Sequence, residues 1–352
     1  MANGMLQINA AHATLFASLI SCVIHLSIRR IIMSYSDLRS LGRSAIQVPR
    51  LTFGGNVFGW TVDEKTSFSL LDALLEKGLN FIDTADVYSR WAPGNQGGES
   101  ETIIGNWLQH SGKRDRIILA TKVGMDLGDG KTGLAAKYIR QAVEASLKRL
   151  RTDYIDLYQA HRDDQDTPLQ ESLGAFDALV KEGKVRVIGA SNYSAERLQE
   201  ALQISAEHGL ARYETLQPEY NLYDRAEYES GLEQVATAHG LGVINYYSLA
   251  SGFLSGKYRS KKDAAKSARG KDVVDKYLNE RGLKIVDALV QVAETYHASP
   301  TQVALAWQIA RPGITAPIVS ATSLAQVDEL AKAAVLKLKD EDLRLLSDAS
   351  HY

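Results

Sequence analysis

Cysteine is almost absent from this sequence of 352 residues, in which Cys22 is the only one. A single thiol excludes an internal disulfide bond and any metal site built from several thiolates. From residue 33 onward the chain has no cysteine at all, a composition typical of proteins of the reducing cytoplasm. We therefore expect a cytoplasmic protein, and no residue cluster predicts a metal site.

An excess of charge of either sign is also lacking. The chain carries 40 Lys and Arg against 42 Asp and Glu, which gives a formal net charge of −2. Nucleic-acid binding proteins present a basic stripe or patch, and this balance provides none. No Gly-x-Gly-x-x-Gly directly follows a strand pattern either, so the usual dinucleotide-binding fingerprint is absent.

The first 32 residues differ from the rest of the chain. Residues 10–28 are mostly apolar and long enough for a membrane anchor, and residues 19–22 resemble a lipoprotein processing site. A secretory signal begins with a basic segment, however, and no Lys or Arg precedes this stretch. Three interpretations stay open: translation starts at Met33, the segment is a membrane anchor, or it is a disordered tail. In each case residues 1–32 are an extension, and residues 33–352 form one domain.

Eight short apolar runs recur along this domain and predict strands. They lie at residues 51–54, 80–83, 117–121, 154–158, 185–189, 214–217, 242–246 and 314–319. Ahead of them, residues 38–41, a turn at Gly42 and Arg43, and residues 45–51 have the pattern of a β-hairpin.

Amphipathic helical patterns alternate with the strand patterns. They lie at residues 67–77, 100–108, 138–150, 169–181, 195–207, 231–239, 281–296, 324–334 and 340–347. Strands that alternate with helices build a parallel sheet, and eight such units in about 300 residues fit a closed barrel. The sequence therefore predicts a (β/α)8 TIM barrel whose bottom is closed by the hairpin, with extra loops over the C-terminal rim. Residues 255–279 are too long for an ordinary β–α loop, so they are either functional or mobile.

A polar or ionisable residue closes six of the predicted strands. These residues are Asp83, Lys122, His161, Asn192, Gln217 and Tyr246. Any one of them could be a solvent-facing loop residue, but the active sites of such barrels form at the carboxyl ends of the strands. Six together on one rim predict a functional site there.

Asp83, Lys122 and Tyr88 form the reactive group that this rim suggests. A lysine on a β-branched strand needs a counter-charge, and Asp83 lies on the neighbouring strand. An ammonium about 4 Å from a phenol favours the phenolate by about 4 kcal/mol at an effective dielectric of about 20. That is roughly three pKa units, so Lys122 would make Tyr88 a usable proton donor and acceptor. His161 could bind and orient a substrate oxygen.

At these residues the sequence resembles the aldo/keto reductase superfamily, from Met33 to the C-terminus. Residues 81–88 (FIDTADVY) look like its first signature, and residues 153–161 (DYIDLYQAH) resemble the strand that carries its histidine. The resemblance implies an NAD(P)-dependent enzyme that interconverts aldehydes or ketones with alcohols. It implies Tyr88 as general acid and base, Lys122 with Asp83 as the pair that tunes it, and His161 as the group that positions the carbonyl.

The same resemblance implies a set of cofactor contacts. Ser191, Asn192 and Gln217 match residues that hold the nicotinamide carboxamide, and Tyr246 matches the aromatic residue that stacks on the nicotinamide ring. Residues 249–257 resemble the loop over the pyrophosphate, and residues 320–326 the adenosine pocket. The remaining expected contacts are Leu249, Ser251, Gly252, Leu254, Gly256, Lys257, Ser320, Thr322 and Gln326.

The choice between NADP(H) and NAD(H) rests on basic residues. Many relatives place Lys or Arg in the adenosine pocket to bind the 2′-phosphate, whereas residues 314–331 contain none here. NAD(H) is therefore credible. The family default and the basic residues Lys257, Arg259, Lys261 and Lys262 favour NADP(H).

The substrate pocket is expected in two loops. Asn56, Phe58 and Trp60 follow the first barrel strand, and Trp91 follows Tyr88. These side chains would make an aromatic pocket for a small carbonyl or alcohol, such as an aryl, terpenoid or sugar-like compound. The sequence does not predict the physiological substrate, the direction of the reaction or the oligomeric state, and it predicts a membrane partner only if residues 10–28 are retained.

Two other functions are compatible with a barrel of this kind. Potassium-channel β-subunits resemble the same scaffold, so a regulatory NADP(H)-binding subunit without turnover is the alternative. A hydrolase barrel would need a metal cluster or a carboxylate pair, and the rim offers one carboxylate next to a lysine. The sequence favours the oxidoreductase.

Overall fold

A computed structural model describes residues 38–352; the apolar stretch at residues 10–28 and the boundary at residue 33 lie outside this part of the chain. Strands form where β-branched and apolar residues run together between turn residues. Within the described residues the strands are β1 Arg39–Ser40, β2 Gln47–Val48, β3 Thr52–Gly54, β4 Phe81–Asp83, β5 Ile118–Val123, β6 Ile155–Ala160, β7 Val185–Ser191, β8 Tyr213–Gln217, β9 Gly242–Val243 and β10 Ile318–Val319.

Eight of these strands, β3 to β10, form one parallel sheet that closes on itself. The hydrogen-bonded order runs from β10 to β3 and then in sequence to β9. Between the two ends of this order, the Val243 carbonyl accepts from the Thr315 amide at 2.8 Å and the Asn245 carbonyl from the Ile318 amide at 2.8 Å. The predicted (β/α)8 barrel is therefore confirmed, although the ninth and tenth strands are shorter than the apolar runs at 242–246 and 314–319.

The hairpin of β1 and β2 lies across the N-terminal end of the barrel. Arg39 pairs with Val48 in antiparallel register. Leu41 and Val48 are fully buried in one apolar cluster with Phe81 and Ala120, which lie inside the barrel. This burial explains why the hairpin closes the bottom and leaves the opposite rim open.

Helices surround the sheet, and several begin at a side chain that caps the first turn, as Asp63, Ser194 and Asn279 do. In the described residues they are α1 Glu64–Glu76, α2 Glu99–Ser111, α3 Ala136–Leu150, α4 Leu169–Lys181, α5 Ala195–His208, α6 Glu233–His239, α7 Gly270–Tyr277, α8 Glu280–Tyr296, α9 Pro300–Ala310, α10 Leu324–Val335 and α11 Asp340–Ala349.

The sequence patterns missed α7 and α9. Helix α9 is buried on nearly every side and therefore shows no apolar–polar periodicity. Helix α7 lies in the long stretch at 255–279, where Lys276 also pairs with Glu219 at 3.0 Å. That stretch is thus a folded insertion. Among residues 38–352, no helix is both long and apolar enough to cross a membrane.

Candidate active site at the carboxyl ends of the strands

The barrel register brings the polar strand ends side by side. Asp83 is the last residue of β4, and Lys122 lies near the end of β5. Lys122 is the pairing partner of Gln159 on β6, and Ser191 on β7 is the partner of Gln217 on β8. Side chains from five successive strands therefore meet at one end of the barrel.

Lys122 and Asp83 form a buried ion pair. Both side chains are fully buried, and the Lys122 Nζ lies 2.6 Å from Asp83 Oδ2. The ammonium also donates to the Thr84 carbonyl at 2.9 Å and to the Tyr88 hydroxyl at 2.8 Å. Its three protons are thus all used, which is what keeps a buried ammonium tolerable.

Tyr88 lies at the centre of this group. Its hydroxyl is 3.3 Å from Asp83 Oδ2 and accepts the hydrogen bond from Lys122. Burial, and then the Asp83 charge, raise the pKa of Tyr88 well above its ordinary value. The expectation that Lys122 lowers this pKa is not met, because burial disfavours the phenolate and Asp83 compensates the ammonium. Tyr88 therefore holds its proton.

His161 follows β6 and faces Tyr88, with 6.0 Å between the ring centroids. Burial, and then the charge of Lys122, hold the pKa of His161 well below its usual value, so the ring is neutral. Its Nδ1 is buried, and no group among residues 38–352 bonds it. A neutral imidazole carries one N–H, which can donate to a carbonyl oxygen.

The second oxygen of Asp83 binds two amides. The Nε2 atoms of Gln159 and Gln217 lie 3.1 and 3.2 Å from Asp83 Oδ1. Gln217 Nε2 is also 3.1 Å from Gln159 Oε1. Gln159 was not predicted as a site residue, since a glutamine inside an apolar strand has no signal of its own.

The residues expected to bind a nicotinamide form one hydrogen-bonded set. Ser191 Oγ donates to the Gln217 carbonyl at 2.8 Å. The Asn192 amide donates to the His161 carbonyl at 2.9 Å, and Tyr246 donates its hydroxyl to Asn192 Oδ1 at 2.7 Å. The half-buried ring of Tyr246 beside amide and hydroxyl groups fits a planar carboxamide-bearing ring.

The loop after Tyr246 has an unusual backbone. Tyr247, Ala250 and Ser251 have positive φ angles of 54°, 48° and 55° although none is glycine, and Gly252 follows at 95°. Successive residues of this kind can form an anion-binding concavity. Here, however, the N–H groups of Ala250 and Gly252 donate to the Tyr247 and Leu249 carbonyls at 2.6 and 2.8 Å. Lys257 Nζ lies close to Gly252. Lys257 therefore supplies a positive charge for a pyrophosphate at this loop.

Leu249 and Gly256, the other expected contacts in this loop, are half-buried, whereas the Leu254 side chain is fully buried. Leu254 can consequently reach a cofactor only through its backbone.

At the expected adenosine end, Ser320 Oγ donates to the Gly54 carbonyl at 2.7 Å. With its amide oriented to satisfy both ends, Asn56 donates to Ser320 Oγ at 2.6 Å and accepts from Arg269 Nη2 at 2.8 Å. Arg269 also stacks on Trp60, 4.8 Å from the ring centroid. The sequence gives no sign of this cation at the adenosine end, because Arg269 lies about fifty residues before Ser320 in the chain.

Thr322 and Gln326 are exposed and bonded to each other at the start of α10, with the Thr322 amide 2.7 Å from Gln326 Oε1. Both side chains are therefore accessible to a ligand from solvent.

Aromatic rings surround Tyr88 on the open side. Trp91 is half exposed, 6.0 Å from Tyr88 and 5.7 Å from Trp60 between ring centroids. Phe58 does not belong to this wall, because it is fully buried and packs on Phe53 at 5.4 Å. The expectation that the Phe58 side chain contacts a substrate does not fit this packing.

A second acidic group is buried behind the site. Neither carboxyl oxygen of Asp86 has a hydrogen-bond partner among the described residues, and burial raises its pKa to about 8. Its neighbour Glu101 is bonded to Thr121 at 2.6 Å and to Arg149 at 2.6 Å. Within residues 38–352, no three His, Cys, Asp or Glu residues are grouped to hold a metal ion.

One Gly-x-Gly-x-x-Gly does occur, at residues 128–133, five residues beyond β5. It forms a tight turn in which Lys131 N donates to the Gly128 carbonyl at 3.0 Å and Leu127 N to the Lys131 carbonyl at 2.9 Å. Helix α3 begins only at Ala136. The turn therefore lacks the strand–turn–helix setting of a phosphate-binding fingerprint.

Comparisons with known proteins agree on one family. A model described as the aldo/keto reductase family matches residues 50–350. The uncharacterized oxidoreductase YrpG of Bacillus subtilis (strain 168) is 37% identical over 317 residues, which cover 88% of this chain and 94% of that protein. The aldo-keto reductase YhdN of the same organism is 33% identical, with coverage of 88% and 91%. A probable voltage-gated potassium channel subunit beta of Oryza sativa subsp. japonica is also 33% identical, with coverage of 84% and 90%.

Proposed function

Because this chain belongs to the aldo/keto reductase family and is similar to a protein named as an oxidoreductase, we propose that it interconverts aldehydes or ketones with alcohols by hydride transfer with NAD(P)(H). Tyr88 is the general acid in reduction and the general base in oxidation. The observation that carries the proposal is the hydrogen bond of 2.8 Å from Lys122 Nζ to the Tyr88 hydroxyl, with Lys122 held by Asp83.

This geometry indicates which group donates the proton. Tyr88 is protonated, so it can donate to a carbonyl oxygen as negative charge develops there. The ammonium of Lys122 then lies next to the phenolate oxygen and stabilises it. The neutral ring of His161 donates to the same substrate oxygen and orients it. The nicotinamide supplies or accepts the hydride when bound.

The cofactor-holding residues have separate tasks. Ser191, Asn192 and Gln217 bind the carboxamide, and Tyr246 covers one face of the ring so that the other faces Tyr88. The loop at residues 247–256, with its run of positive φ angles and Lys257 close by, binds the pyrophosphate. Ser320, Thr322 and Gln326 contact the adenosine half.

NADP(H) is the preferred cofactor in this proposal. Arg269 reaches the neighbourhood of Ser320 through Asn56 and can give the charge-assisted bonds that a 2′-phosphate requires. It replaces the basic residue that residues 314–331 lack. Arg269→Gln should weaken NADPH binding by roughly tenfold or more and leave NADH binding nearly unchanged, measured by fluorescence titration.

Lys271→Gln is the matched control, since Lys271 is an exposed cation of the same insertion and pairs with Asp275. It should leave both affinities unchanged. Wild-type protein that binds NADH as tightly as NADPH would contradict the preference.

The substrate is a small carbonyl or alcohol held between aromatic rings. Trp60 and Trp91 provide the wall beside Tyr88. Asn56, expected as a further substrate contact, has both ends of its amide bonded to Ser320 and Arg269. Phe58 does not form part of this wall, because its side chain is fully buried.

A paired NADPH and NADH turnover screen over aldehydes, ketones and secondary alcohols tests the proposal. We expect turnover with at least one class, for which 4-nitrobenzaldehyde is a suitable first probe. Tyr88→Phe should abolish it while cofactor affinity stays the same. No turnover with any class, or full activity of the variant, would reject it.

The relative named as a potassium channel subunit beta favours a second candidate, a regulatory subunit that binds NADP(H). The two differ in one measurable property. The regulatory protein would bind cofactor tightly and show no steady-state turnover in the same screen.

A further inference from the structure

We propose that Gln159 is a positioning residue of this site, one that fixes the polarity of the Gln217 amide and completes the bonding of Asp83. The inference rests on the proposed function, because it concerns how the site binds the nicotinamide carboxamide. Gln159 acts through its neighbours and touches no reacting atom.

The carboxylate of Asp83 dictates which way the Gln159 amide points. An ionised carboxylate only accepts hydrogen bonds, so the atom 3.1 Å from Asp83 Oδ1 must be the Gln159 NH2 group. The Gln159 oxygen is then turned toward β8, where Gln217 Nε2 lies 3.1 Å away. The side chain is fully buried, so water cannot take over either bond.

Gln217 is oriented in turn. Its NH2 group faces two acceptors, Asp83 Oδ1 at 3.2 Å and Gln159 Oε1, which use both of its protons. Its own oxygen must point the other way, and among residues 38–352 no group donates to it. Gln217 Oε1 is thus presented as an acceptor for the N–H of a carboxamide. Without Gln159, turning the Gln217 amide over would cost one hydrogen bond fewer. The orientation that presents Gln217 Oε1 as an acceptor would then be favoured less strongly.

The titratable groups around Gln159 are few. Asp83 on β4 bonds it directly, Lys122 on β5 is its partner in register, and Tyr88 and His161 complete the group at this rim. Strand β7, on the other side, presents a glycine. A carboxyl group placed at this position would therefore face one carboxylate and would donate to it only when protonated.

Two variants use these facts. Gln159→Leu keeps the approximate size and removes both bonds. It should weaken NADPH binding by roughly five- to tenfold, the factor expected when one neutral hydrogen bond between Gln217 and the carboxamide is lost. The 3-acetylpyridine analogue of NADPH lacks the carboxamide N–H, so its affinity should fall by less than about threefold in the same variant. Both affinities are read by tryptophan fluorescence and do not depend on turnover.

Gln159→Glu is the conservative variant and adds a pH signature. Its protonated form can donate to Asp83 and accept from Gln217, which restores the original pattern, whereas its ionised form repels Asp83. NADPH affinity should therefore recover toward the wild-type value as the pH is lowered. In Gln159→Leu it should stay weak at every pH.

Gln308→Leu is the control for the loss of any buried glutamine. Gln308 is fully buried and donates to the Ser248 and Ala304 carbonyls. This variant should lose thermal stability but keep the ratio of NADPH to analogue affinity. Equal losses for the two ligands in Gln159→Leu, or no recovery of Gln159→Glu at low pH, would overturn the inference. If wild-type protein binds no cofactor, the proposed function fails instead, and the two failures are distinct.

Discussion

Removing the ammonium of Lys122 should be among the most damaging single changes to this fold. Lys122 and Asp83 are both fully buried with 2.6 Å between the charged atoms, so Lys122→Met leaves a carboxylate without its cation. Breaking a buried ion pair in this way lowers the free energy of unfolding by about 3–5 kcal/mol. Asp83→Asn alone should cost a similar amount, because it leaves the ammonium unpaired.

The double variant Asp83→Asn/Lys122→Met removes both charges. Its free energy of unfolding should fall by much less than the sum of the losses in the two single variants. At an effective dielectric of about 20, opposite charges about 4 Å apart attract by about 4 kcal/mol, so we expect a coupling energy of about 2–4 kcal/mol. Urea unfolding of the four proteins, followed by circular dichroism, measures it.

Arg140 and Glu182 provide the matched surface pair, 2.9 Å apart and well exposed. The same cycle there should show almost no coupling, since solvent screens the charges. If the Lys122 and Asp83 cycle were equally additive, the idea that these two groups hold each other charged inside the barrel would be refuted.

Three further changes test other parts of the structure. The folded protein keeps a proton on Asp86 up to about pH 8, whereas the unfolded chain releases it near the ordinary pKa of 3.8, so the free energy of unfolding should fall as the pH rises between these values. Asp86→Asn should flatten this fall in unfolding measurements, and an unchanged slope would contradict the burial argument. Gly105→Ala should lower the melting temperature although alanine favours helices, because the added methyl carbon would lie 2.0 Å from the Arg149 carbonyl oxygen. A more stable variant would show that α2 and α3 can move apart without cost. Tyr246→Phe removes the donor to Asn192 and should weaken cofactor binding by roughly three- to tenfold in a titration, whereas an unchanged affinity would mean that this bond does not position Asn192.

Most of the fold could be predicted from the sequence, because each barrel strand is a short β-branched run between turn residues. The boundaries were less predictable. In the apolar run at residues 242–246, regular strand geometry ends at Val243, although Ile244 and Tyr246 still donate to the Leu216 and Pro218 carbonyls. Helix α9 gave no periodic signal because the surrounding helices bury nearly all of it.

The sequence predicted those site residues that stand at the end of a strand. It did not predict the contacts between side chains that come from different strands. Asp83 and Lys122 could be paired from their strand positions. The two glutamine amides on the other oxygen of Asp83 depend on how β6 and β8 lie across the barrel, which no local pattern encodes. Arg269 reaches Asn56 from a folded insertion far along the chain, so its approach to the adenosine end could not be seen in the sequence.

The electrostatics of Tyr88 could not be predicted either. A lysine beside a tyrosine suggests a lowered phenol pKa, but the direction depends on what else the lysine binds. Here Asp83 compensates Lys122, and burial raises the pKa of Tyr88. Tyr88 therefore holds its proton, and in the proposed reaction the ammonium stabilises the phenolate that proton transfer leaves.

The most direct test of the account is a single-turnover measurement of hydride transfer. Wild-type protein preloaded with NADPH deuterated at C4 is mixed with an aldehyde that the turnover screen identifies, and product deuteration is followed together with nicotinamide absorbance. The account predicts deuterium on the product carbon, and a Tyr88→Phe variant that binds NADPH equally well but transfers at least about a hundredfold more slowly. Transfer at nearly the wild-type rate without the Tyr88 hydroxyl would contradict the central claim.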